Sequence, residues 1–168
     1  MNYFELFGLP LQFEVDVQKI RPKFLELSRQ FHPDFHTNET EESQQALMEQ
    51  SAAINKGWQV FQDPLKTLHY VLQLTGNITE NENPVLSPDF LMEMMDLNER
   101  LTEGDEAQQV ELKELINRYE KELYDGVKNI LKTAPSTLSE TDFQKIKEYY
   151  YQQKYLQRIQ ERIRMNLS

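Results

Sequence analysis

The sequence predicts an all-α protein: a long antiparallel helix pair with short flanking helices, followed by a C-terminal antiparallel three-helix bundle. Apolar residues recur at spacings of three and four through every long segment, the period of an amphipathic helix. Helix caps and breakers (Asp16, Pro33, Asp63-Pro64, Gly76, Ser87-Pro88, Gly104-Asp105, Ala134-Pro135-Ser136) fall between those segments. No alternating strand pattern of useful length occurs.

The first half opens on Tyr3-Phe4-Glu5-Leu6-Phe7, a short helix or turn of aromatic anchors ended by Gly8-Leu9-Pro10. Asp16 then caps a helix over about 17–32, its carboxylate accepting unpaired N–H groups of the first turn. Val17, Ile20, Phe24, Leu27 and Phe31 make one apolar stripe along it. Gln18 and Arg29 lie opposite that stripe, with Lys19, Arg21 and Lys23 towards its flanks. Pro22 removes one helix hydrogen bond and is expected to bend the helix. Pro33 disfavours the α region for His32, so the helix stops there and delivers His32 and Asp34 to a solvent-facing tip. Residues 35–43 are polar and loop-like. A helix over 41–62 carries Leu47, Ile54, Trp58 and Phe61 in a heptad and lies against the second helix. Asp63-Pro64 breaks it. A short helix from Leu65 to Leu74 ends at Thr75-Gly76-Asn77, a glycine C-cap.

Residues 76–87 are rich in turn formers and read as a linker between two domains, 1–75 and 88–168. Ser87-Pro88-Asp89 is a helix start: N-cap serine, proline at the first helical position, then an acid that complements the dipole. Three helices are expected over 88–103, 105–132 and 140–167. In the first, Phe90, Met94, Leu97 and Leu101 project within about 60° of one another at roughly 100° per residue. That stripe suffices to bury the helix, yet Leu91, Met95 and Met92 lie off it. Such surplus apolar surface belongs either to a helix buried on two sides or to a Met-rich docking surface. On the last helix Ile146, Tyr149, Leu156, Ile159, Ile163 and Leu167 form the packing stripe. Tyr151 and Tyr155 sit off it, as solvated flanks or interface anchors.

Composition bounds the function. With 168 residues, 39% hydrophobic and 18 aromatic, the chain builds folded cores. Its net charge is −10. Residues 1–75 carry 6 Lys/Arg against 10 Asp/Glu, and residues 76–168 carry 12 against 18. This balance disfavours nucleic acid and anionic lipid as partners. The absence of cysteine excludes disulfides, thiolate metal sites and cysteine nucleophiles, and fits a reducing cytoplasm. No apolar run suggests a membrane span, and the N-terminus has no basic signal-peptide start. No enzyme constellation emerges. The three histidines are His32, His36 and His69; His32 and His36 are four apart, but Pro33 denies them the helical geometry of a metal pair. No cofactor is expected.

The order short helix, long helix, His32-Pro33-Asp34, long helix, Asp63-Pro64, short helix resembles the J-domain, through which co-chaperones stimulate DnaK-type ATPases. The whole chain is similar to the HscB (Hsc20) family of iron–sulfur co-chaperones. The opening Tyr3 to Pro10, the stretch Ser51-Ala52-Ala53-Ile54-Asn55-Lys56-Gly57-Trp58-Gln59, and Phe90-Leu91-Met92-Glu93 carry that likeness. It implies a non-catalytic adaptor. Asp34 and His32, displayed by Pro33, contact the specialised chaperone HscA, with Lys19, Lys23 and Arg29 meeting an acidic face of its ATPase domain. The C-terminal domain binds the cluster scaffold protein IscU through Leu91, Met92, Met95, Asp96, Glu99 and Tyr155. A monomer is favoured. Phe35, Thr67 and Pro22 depart from the family pattern, and the cysteine-free chain starting at the J-domain resembles the bacterial form. Two other readings stand beside this one: a J-domain protein of general proteostasis, and a helical protein whose His-Pro-Asp is accidental.

Overall fold

A computed structural model describes residues 1–167, with side chains through Asn166; the expected packing of Leu167 lies outside the described residues. The all-α expectation is met: among the described residues there is no strand, and the chain divides into two compact units, Met1–Val71 and Leu72–Ser168. That division falls ahead of the 76–87 stretch.

In the first unit α1 (Tyr3–Leu6) begins in a capping box, Asn2 accepting from the Glu5 N–H while the Glu5 carboxylate accepts from the Asn2 N–H. Helix α2 (Val17–Gln30) is capped by Asp16 as expected and runs through Pro22. It stops at Gln30, two residues short of the expected end, because Phe31 already leaves helical geometry ahead of Pro33. Helix α3 (Glu41–Phe61) packs on α2, with Phe24 and Trp58 stacked at 4.5 Å. Phe4 and Phe7 meet Phe61 edge-on at 5.1 and 5.2 Å, so the aromatic opening is the lid of this core. Gly57 makes that approach possible: a Cβ there would lie 3.1 Å from the rings of Tyr3 and Phe7. Helix α4 (Pro64–Leu74) starts on Asp63, whose carboxylate accepts from the Leu65 and Lys66 N–H groups. It ends at Gly76, whose φ of 74° is left-handed, with the Asn77 N–H returning to the Leu72 carbonyl at 2.8 Å.

The second unit contains three long helices, α5 (Pro88–Glu103), α6 (Glu106–Asp125) and α8 (Glu140–Leu167), plus the single turn α7 (Lys128–Leu131). Ser87 caps α5 through the Phe90 N–H, as its sequence announces. Phe90, Met94, Leu97 and Leu101 are all buried, joined by Leu112 and Ile116 of α6 and Leu156, Ile159 and Ile163 of α8. The helix expected over 105–132 is instead broken at Gly126-Val127. Val127 leaves helical geometry (φ −124°, ψ −4°), and both it and Leu131 are buried. Asp125-Gly126 was a helix-stop signal whose force the flanking periodicity concealed. On α8 the core position is Tyr150, not Tyr149, which is half-buried. Side-chain bonds tie α8 to its neighbours: Arg162 Nη1 donates to Asn98 Oδ1 at 2.7 Å, Gln160 Nε2 to Asn117 Oδ1 at 3.0 Å, and Gln153 Nε2 to the Glu120 carbonyl at 3.3 Å. Glu82, ahead of α5, is ion-paired with Lys147 of α8.

Candidate functional site

The tip between α2 and α3 is built from the backbone outward. His32 is extended (φ −71°, ψ 128°), as a residue before proline should be, and Pro33–Phe35 follow as one turn of 3₁₀ helix. The Asp34 N–H donates to His32 Nδ1 at 3.3 Å, so the imidazole caps the turn. Held from behind, the Asp34 side chain is 85% exposed and its Oδ2 lies 3.7 Å from the same nitrogen. The carboxylate is thus presented to solvent on a single capped turn. Phe35 is 71% exposed beside it, its ring edge-on to His32 at 5.9 Å.

His36 closes the loop. Its Nε2 lies 2.9 Å from the Gln30 carbonyl at the end of α2, and its Nδ1 2.9 Å from a Glu39 carboxylate oxygen. Both neighbours are acceptors, and a neutral imidazole has only one N–H to give. The Gln30 carbonyl first, then the Glu39 carboxylate, therefore raise the His36 pKa above its ordinary value. Among the described residues no group of His, Cys, Asp and Glu is placed to hold a metal.

Lys19 and Arg29 are exposed on α2, while Lys23 is half-buried and 3.8 Å from Glu26. Thr67, one of the departures from the family pattern, has a structural role of its own. It is only 2% exposed, and its hydroxyl donates to the carbonyls of Val60 at 2.8 Å and Asp63 at 3.1 Å, locking the α3–α4 corner.

In the second unit five of the six anticipated residues lie on α5 and the sixth, Tyr155, on α8. Leu91 and Met95 are exposed and share with Asn98 the side that faces α8. Tyr155 belongs to this flank but is not a free-standing anchor: it is half-buried on the core and meets Phe90 edge-on at 6.1 Å. Met92, 68% exposed, and Asp96 lie on the other flank, bordering a groove between α5 and α6 with Leu115 and Tyr119. Glu99 is exposed on the outer surface between them. Sequence reasoning missed Leu115, Tyr119 and Glu93, whose approach depends on how α6 lies against α5.

Residues 86–164 match the family model described as the HSCB C-terminal oligomerisation domain. Among solved structures the chain is similar to the chaperone HscB from Vibrio cholerae, at 28% identity over 98% of this chain and 96% of that one, with a TM-score of 0.78. It is likewise similar to the human co-chaperone protein HscB, at 28% identity over 99% of this chain and 82% of that one, with a TM-score of 0.83. With a His-Pro-Asp tip in one unit and an architecture shared end to end with these structures, residues 86–164 belong to the HscB C-terminal domain family and the chain as a whole is similar to HscB co-chaperones.

Proposed function

We propose that the protein is an adaptor that stimulates the ATPase of a specialised DnaK-type chaperone, HscA, and delivers the scaffold protein IscU to it for cluster assembly and transfer. The observation that carries this reading is the solvent-facing presentation of Asp34 by His32 and Pro33. Asp34 accepts a charge-assisted hydrogen bond from a cationic group on the chaperone, a contact stronger than a neutral one. Lys19, Lys23 and Arg29 speed encounter and fix register against an acidic face. The chemistry occurs on the partner. This chain supplies no catalytic residue and no cofactor, only positioning.

The division of labour runs from a J-domain over 1–75 through a linker over 76–87 to a client-binding domain over 88–168. Leu91, Met92, Met95, Asp96, Glu99 and Tyr155 receive the scaffold protein. Joining two modest binding surfaces in one chain raises the concentration of one client near one chaperone, which is the source of specificity. The adaptor works as a monomer in the cytoplasm. The oligomerisation named in the description of the matched C-terminal model is the competing state, and sedimentation equilibrium separates the two.

The client site is tested by titrating IscU into the protein and into a Met95→Asp variant. Met95 is 62% exposed, so the fold tolerates the change. A desolvated apolar anchor replaced by a charge weakens binding at least tenfold, about 1.4 kcal/mol. Equal affinity of the two proteins removes Met95 from the site.

A further inference from the structure

Between α5 and α6 the second unit holds a groove of about 360 Å³. Leu97, buried in the core, forms its floor, and Leu115, Tyr119 and the outward Met92 form its apolar walls. At its mouth stand Glu93, Asp96 and Arg100. The volume is at the low end of ligand-sized cavities, roughly 300–1,000 Å³, which is room for a bulky side chain rather than a whole helix.

The charges select the occupant. The phenol of Tyr119 is pushed up to about 12, by burial first and then by its hydrogen bond to the Glu93 carboxylate. Arg100 lies 3.8 Å from Asp96 on the next turn, so the single cation at the mouth is already engaged by a carboxylate. Glu122 of α6 adds further negative potential at Tyr119. Three carboxylates against one guanidinium attract a cation and repel an anion.

We infer that this groove binds a protein segment that inserts one large apolar side chain over Leu97 and Leu115 while an adjacent Lys or Arg reaches Glu93. The inference rests on the client-binding reading above, because the groove shares Met92 and Asp96 with that surface, and it adds Glu93, Leu115 and Tyr119 to it. A side-chain pocket beside a flat Met-rich flank gives a client register as well as area.

The test is a methyl-NMR titration of the full chain, labelled at Met and Leu, with two blocked tripeptides, Lys-Phe-Lys and Glu-Phe-Glu, and separately with IscU. Saturable shifts of the Leu115 and Met92 methyls with the lysine peptide are expected, at least tenfold weaker with the glutamate peptide and at least tenfold weaker in Glu93→Lys. Glu93 is exposed, so that variant stays folded. Absence of shifts, or equal response to both peptides, overturns the inference. With IscU, a shifted Leu115 methyl supports the groove, whereas shifts confined to Leu91 and Met95 overturn it and leave the client-binding reading intact. No response to IscU together with a response to the lysine peptide refutes the client-binding reading and keeps the groove. Shifts that grow with protein concentration alone mean that a second copy fills it, which also overturns the inference.

Discussion

Replacing Thr67 by valine deletes one buried hydroxyl at almost constant shape. That hydroxyl donates to the Val60 and Asp63 carbonyls, yet neither carbonyl depends on it. Val60 also accepts from the Asp63 N–H at 3.2 Å, and Asp63 from the Thr67 N–H at 2.9 Å. The substitution therefore leaves no acceptor stranded, and the loss is that of one net hydrogen bond, about 1 kcal/mol. Thr67→Ala removes a methyl group as well and costs about 2 kcal/mol. Trp58, the only tryptophan, stacks on Phe24 within the same unit, so its fluorescence in urea reports this unit selectively. With an m-value of about 1 kcal/mol/M for a unit of this size, Thr67→Val shifts the midpoint down by about 1 M. An unchanged midpoint for valine, with alanine lowered by about 1 M, would show that the methyl holds the corner and that the hydroxyl contributes nothing.

Two further outcomes follow from the titrating groups. The His36 pKa is raised in the folded state, so the stabilisation its two contacts give is fully present below the unfolded value of 6.5 and is lost as pH rises through the folded value. Amide exchange over residues 36–40, corrected for intrinsic rates, should show less protection at pH 8 than at pH 6, and His36→Gln should abolish the difference; protection that rises with pH reverses the assignment. In the groove, Glu93→Gln removes the second cause of the Tyr119 shift but not the first, burial. Ring-carbon NMR should find Tyr119 titrating below about 12 in the variant, yet above the ordinary 10. A pKa unmoved by the substitution would dissolve the Tyr119–Glu93 link.

Local signals were legible because their physics is local. Asp16, Ser87, Pro33 and Gly76 each act within three or four residues, and each does in the structure what its chemistry requires. The stripe Phe90, Met94, Leu97, Leu101 was equally plain, since one helix face has to be buried whatever it meets. What the sequence concealed depended on the path of the chain between elements. The clamp from His36 back to Gln30, and the bond from Thr67 to Val60, join residues whose approach is set by a loop or a corner. The surplus apolar residues of α5 were visible as a surplus, but a helical wheel does not say which neighbour lies on which side. Only the placement of α6 and α8 divides Leu91 and Met95 from Met92 and Asp96. At Gly126-Val127 the periodicity predicts one continuous helix, whereas the structure breaks it where Val127 and Leu131 turn into the core.

The adaptor account is tested most directly by single-turnover ATP hydrolysis on HscA, with and without IscU, in the presence of this protein or its Asp34→Asn variant. The variant keeps the size of the side chain and the backbone N–H that His32 accepts, and removes only the charge at an 85% exposed position. Stimulation that grows with IscU and falls at least tenfold in the variant, about 1.4 kcal/mol of transition-state stabilisation, is the predicted result. Stimulation by a folded Asp34→Asn protein equal to that of the original chain, or none from either, contradicts it.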